Sequence, residues 1–103
     1  MSALDPADGR VNWRTDVYGW TFGTPLVVGD RIYAGAAGGK PYAFRHVAGF
    51  AVLDRESGTL LRRWPLPESS GGHQWGIAGS PALAGDTVVA TTIDGSVYGF
   101  PLE

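Results

Sequence analysis

Cysteine is missing from this 103-residue chain, which excludes a disulfide framework, a thiol nucleophile and a thiolate metal site. Charge is scarce as well: Asp, Glu, Lys and Arg make up 17% of the residues, and the formal net charge is -2. Without a basic excess there is no electrostatic footprint for nucleic acid or an anionic lipid surface, so neither is expected as a partner. Nowhere do about 18 apolar residues run together, so no membrane insertion is expected. The opening residues, Met1 to Pro6, have neither the basic start nor the apolar stretch of a signal peptide.

What the chain does have is glycine, proline and apolar bulk. Sixteen glycines and seven prolines, with 44% apolar residues, predict a single turn-rich all-β unit with a packed core. Two segments repeat. Residues 24–28 and 31–36 read as short strands around Gly29-Asp30, and residues 80–84 and 87–92 repeat them around Gly85-Asp86, with Pro25 and Pro81 at matching places. A third strand follows in each copy, over 47–54 and 96–100. A fourth, over 59–66, is present in the first copy only. The opening stretch, 10–16, reads as one more fourth strand, an orphan from a unit whose first strands are missing. Four short antiparallel strands at a period of roughly 40 to 50 residues are the signature of propeller blades, and the duplicated landmarks argue against a single β-sandwich. The expected division is therefore an orphan outer strand and connector over 1–23, a complete blade over 24–66, and a connector with a three-stranded final blade over 67–103.

A second repeated pattern names the kind of blade. Ala3, Asp5, Gly9 and Trp13 stand in the spacing Ala-x-Asp-x-x-x-Gly-x-x-x-Trp. Asp54 and Gly58 repeat it, but Val52 takes the alanine place, with Ala51 one residue early, and Arg62 takes the tryptophan place, with Trp64 two residues later. Period-2 alternation puts Arg62 and Trp64 on one face. The pattern resembles the tryptophan-docking motif of the PQQ-like (quinoprotein-like) β-propeller repeat family, and the resemblance, to C-terminal blades, spans nearly the whole chain. It implies a structural role for the motif: tryptophan between adjacent blades, glycine in a tight turn, aspartate accepting turn hydrogen bonds. It implies little about activity, because the family includes alcohol and sugar dehydrogenases, a lipoprotein scaffold of the outer-membrane barrel-assembly machinery, and blades appended to secreted hydrolases. It also suggests a periplasmic or extracellular location.

No residue set reads as an active site. By the same resemblance a quinoprotein enzyme would offer a calcium-holding set of acids and amides, a base aspartate and a stacking tryptophan. Here Asp8, Asp30, Asp54, Glu56, Asp86 and Asp94 fall in turns, where such residues serve local hydrogen bonds. His46 and His73 lack metal-ligand spacing, the run from Gly35 to Lys40 fails the phosphate-loop pattern, and Ser69, Ser70 and Ser80 sit in no nucleophile elbow. No catalytic residue, cofactor or metal is therefore assigned.

The loops are unequal. The turns expected at one end of the blades, at Gly29-Asp30, Gly85-Asp86 and Arg55 to Gly58, are minimal. Those expected at the other end, 17–22, 37–46 and 67–76, are long and rich in rings. Binding tends to live on loops held by a rigid scaffold, with Trp, Tyr and Arg as anchors. Trp20, Tyr42, Phe44, Arg45, His73 and Trp75 form the candidate binding face; plugging a channel mouth or padding a neighbouring blade is the structural role open to the same rings. The reading is a non-catalytic module that binds a protein partner or its own longer chain. The rival is the C-terminal blades of a larger enzyme, a quinoprotein dehydrogenase or a propeller-appended hydrolase such as a metallophosphoesterase, with its catalytic residues elsewhere. About two blades cannot close a ring, so two outcomes are expected: a cyclic homo-oligomer of the isolated chain, with the 10–16 strand completing a neighbour's last blade, or a chain stable only within a longer parent.

Overall fold

The computed structural model describes residues 1–39, 48–67 and 74–102. Among these residues there are strands and turns and no helix, arranged as three antiparallel sheets. The first is a hairpin of β1 (Ser2–Leu4) and β2 (Val11–Arg14). The middle sheet runs in sequence order through β3 (Leu26–Val28), β4 (Arg31–Gly39), β5 (Gly49–Asp54) and β6 (Leu60–Pro65), and β7 (Gln74–Gly76) joins the far end of β4. The third holds β8 (Ala82–Ala84), β9 (Thr87–Thr91) and β10 (Val97–Pro101) in the same meander. These meanders are the partial propeller blades of an all-β fold, as the sequence predicts.

The repeats share their backbone hydrogen bonds. In the first Asp-x-x-x-Gly turn the Gly9 amide donates to the Asp5 carbonyl at 2.8 Å and the Asp5 amide to Arg10 at 2.7 Å; in the second, Gly58 donates to Asp54 and Asp54 to Thr59, both at 2.8 Å. Both glycines have φ +75°, a left-handed conformation that costs other residues a clash with the carbonyl. A register shift falls between Ala3 and Leu4 and again between Val52 and Leu53, so each third-to-fourth strand pair carries the same bulge. At the hairpin turns, Arg55 donates to Asp30 at 2.9 Å and Leu102 to Asp86 at 3.0 Å, which makes Pro101 the counterpart of Asp54.

Alternation along β5 then dictates the layering. Phe50 and Val52 point to one side and, with Tyr33, pack on Val88, Ala90 and Phe100 of the third sheet. Ala51 and Leu53 point to the other and, with Ile32, pack on Val17, Met1 and Trp13 at the first sheet. The middle sheet is thus buried on both faces, which is why β5 reads as a continuous apolar run rather than an alternating one. The Phe50 and Phe100 rings stack at 4.0 Å between centroids and 7° between planes. The indole of Trp13 lies over Gly58, where an added Cβ would meet the ring at 2.3 Å, and its N–H donates to the Arg55 carbonyl at 3.0 Å. At its counterpart position Arg62 instead places its guanidinium 5.4 Å from the Trp64 ring, the shared face that alternation predicts.

Two expectations are corrected. β4 does not stop at residue 36 but runs to Gly39, and residues 74–76, expected in a loop, form β7 against it. The run of glycine and alanine makes this possible: a Cβ on Gly35 would sit 2.2 Å from the Ile77 side chain, so the close approach that binds the two segments is open only to a residue without one. The opening strand, expected as an orphan outer strand, has one paired neighbour, the strand end that precedes the Asp5 to Gly9 turn. Ser2–Leu4 supplies the end of a third strand and occupies one edge of β2 in the register that β5 uses on β6, so β2 completes a neighbour's blade only by giving up β1.

Candidate functional site

The two connectors that lead into the middle and third sheets meet on the extension of β4. Trp20 exchanges both backbone hydrogen bonds with Ala37, at 2.9 and 2.8 Å. On the opposite edge Gly76 pairs with Ala37 and Trp75 with Gly38, and the Ile77 amide donates to Ala36 at 3.2 Å. Consecutive carbonyls of a strand point to opposite edges, so residues 37–39 serve as a spine with one connector on each side. The turn between β9 and β10 closes on the same end, where the Ile93 amide donates to the Gly76 carbonyl at 2.8 Å.

Of the six candidate residues, Trp20 and Trp75 fall within the described residues and share this spine; Tyr42, Phe44, Arg45 and His73 lie outside them. Trp75 is 7% exposed and belongs to the core. Trp20 is half-buried, and its ring meets Phe22 edge-on at 5.8 Å. Phe22 is 59% exposed and Tyr18 is also largely exposed. Tyr18 has φ +68°, uncommon for a residue with a side chain. The Asp16 carboxylate accepts its amide at 2.7 Å, and the Arg63 guanidinium lies 5.4 Å from its ring. Arg63 also donates to the Val17 carbonyl at 3.4 Å, tying the connector to β6. Burial lowers the Arg63 pKa from its ordinary value, and Tyr18 and Asp16 partly restore it. Tyr18 and Phe22 were absent from the candidate set; the signal that could have found them is two further rings within two residues of Trp20 in the same connector.

The other end of the sheets has a different chemistry. An open cleft of about 450 Å3 is lined by Ala3, Asn12, Trp13, Asp30, Asp54, Arg55 and Glu56. Its central carboxylate is already used. Asp54 accepts the Ser57 amide at 2.9 Å and the Ser57 hydroxyl at 2.8 Å, and lies 3.6 Å from Arg31. Among the described residues no three His, Cys, Asp or Glu side chains come together to hold a metal ion. The described residues do not fit a calcium-bound quinone, whose ion needs such a set of acids.

Comparison with known proteins agrees with this geometry. The model of the family described as "Outer membrane protein assembly factor BamB" matches residues 1–103. A curated protein of that description from Burkholderia pseudomallei is 36% identical over 101 residues, covering 97% of this chain. The chain spans 23% of that relative's length.

Proposed function

We propose, from the premise that this chain belongs to the PQQ-like repeat β-propeller family described as outer membrane protein assembly factor BamB, that it is a non-catalytic module that binds a protein. The partner docks on the connector end, against Trp20, Phe22 and Tyr18. One observation carries the reading: both connectors are fixed to the β4 spine while Phe22 and Tyr18 remain exposed. Exposed rings on anchored backbone supply contact area at small entropic cost, the arrangement that binding hot spots favour. The relative's name, outer membrane protein assembly factor, is that of a protein that acts on the assembly of other proteins, which favours a protein as the partner.

The test is site-specific photo-crosslinking in cells, with the photoreactive residue at position 18 or 22 and, as control, at 56 on the opposite end. A discrete protein adduct is expected from 18 and 22 and not from 56. Phe22→Ala should weaken binding of the protein so identified by about 1–2 kcal/mol while changing folding stability by less than about 0.5 kcal/mol. Adducts confined to position 56, or binding untouched by Phe22→Ala, would remove the connector end from consideration.

A further inference from the structure

The longest stretch of the chain without a charged residue, a glycine or a proline runs from Thr87 to Ile93, bounded by Asp86 and Asp94. The next longest, 1–4 and 50–53, are about half its length. All of its residues except Ala90 are β-branched, the side chains that favour a pleated strand. Segments of about six or seven residues with high strand propensity, no charge and no proline are those that stack between chains as cross-β. The flanking aspartates stand where gatekeeping charges stand beside such segments.

In the folded chain the segment is covered by its own sheet. β10 pairs with β9 along its whole length, from Val97 on Thr91 to Pro101 on Thr87, and β8 pairs with Thr87 to Val89. Val88 and Ala90 are buried in the cluster that holds Phe50 and Phe100. A turn holds Thr92 and Ile93 out of the strand: the Thr92 amide donates to the Ser96 carbonyl at 2.9 Å, the Thr92 hydroxyl to the Asp94 carboxylate, and the Ile93 amide to the Gly76 carbonyl at 2.8 Å. The cover is thin. β8 is three exposed residues, and β8 and β10 are the outer strands of the sheet. Opening of this sheet therefore frees both edges and both faces of 87–93 together.

We propose that residues 87–93 are a cross-β segment: when the third sheet opens, copies of this chain stack on one another through it, in register. Alternation sorts the segment into two faces, Thr87, Val89, Thr91 and Ile93 on one and Val88, Ala90 and Thr92 on the other. Neither face carries a charge, so like faces interdigitate without water while each backbone amide and carbonyl pairs with the copy above or below. The same stacking sets Asp86 and Asp94 about 4.8 Å from their images in the next copy, where like charges repel, so the two aspartates slow the assembly. The segment is internal, and residues beyond either terminus do not alter the side chains it presents.

Thioflavin T fluorescence of the purified chain, stirred in urea at its unfolding midpoint, tests this together with fibre diffraction. Fibrils with a spacing of about 4.7–4.8 Å along the axis are expected, and their protease-resistant core, read by mass spectrometry, should contain residues 87–93. Thr91→Lys, at an exposed position of β9, should lengthen the lag about tenfold or more, because stacked lysines repel. Leu61→Lys, which adds the same charge at an exposed position of β6, should leave the lag unchanged, and Asp94→Asn should shorten it. Each variant is measured at its own urea midpoint, which equalises the unfolded fraction and separates assembly from stability. A chain that stays soluble, a precipitate without the cross-β spacing, a resistant core elsewhere, or equal lags for Thr91→Lys and Leu61→Lys would each overturn the proposal.

Discussion

Gly9 and Gly58 have the same φ of +75° in the same turn, yet they differ in what surrounds them. Nothing lies within 4 Å of a Cβ built on Gly9, whereas one on Gly58 strikes the Trp13 ring at 2.3 Å. Gly9→Ala should therefore cost only the backbone penalty, about 1–2 kcal/mol. Gly58→Ala should cost that and about 1–3 kcal/mol more for displacing the indole. Urea melts of the two variants measure the difference; equal losses would mean that Trp13 moves aside freely. Asp54 supports a prediction of a different kind. The Ser57 amide, then the Ser57 hydroxyl, hold its pKa below the ordinary value; burial opposes them and Arg31 adds a smaller downward pull. A depressed folded pKa stabilises the protein above the unfolded pKa, and that stability is lost as the pH falls through the folded value. Asp54→Asn should thus be less stable than the wild type at pH 7, with the gap closing in acid. Melting midpoints followed down to about pH 2 check it; a gap that stays constant would mean that the side chain's shape, not its charge, matters.

At the scale of elements, β5 is where sequence and packing meet most tightly. It has a paired strand on either side and a packed sheet on either face. Its Phe50 holds the third sheet through Phe100. Phe100→Ala should cost about 3–5 kcal/mol, and the amides of β9 and β10 should lose hydrogen-exchange protection before those of β4 and β5. In a double-mutant cycle of Phe50→Leu and Phe100→Leu the coupling should be about 1 kcal/mol, the worth of a stacked pair beyond its buried area. Additive losses would show that the rings contribute burial alone. The strand ends that the sequence misplaced lie where alternation stops. Residues 35–39 are glycine and alanine, with no period to read, and their extension is set by segments that arrive from 20 and from 74–77.

For the whole molecule, two recurrent marks, the Gly-Asp hairpin turn and the Asp-x-x-x-Gly turn, were enough to give the all-β class and the strand order within a unit, while the repeat family rested on the resemblance carried by Ala3, Asp5, Gly9 and Trp13. Each is local: a turn needs particular residues at fixed offsets, and copies of one turn imply copies of one unit. The two-residue period of any strand also puts Phe50 and Val52 on one side of the sheet and Ala51 and Leu53 on the other. The sequence could not say which side meets which neighbour, because that depends on how the sheets stack. Only the tertiary structure decided that Trp13 rests on Gly58, that Trp75 is buried while Phe22 is exposed, and that residues 74–76 pair with the extension of β4. All three turn on contacts between residues distant in the chain. A repeat shows what each unit presents, and only the assembled stack determines which of those surfaces are already covered.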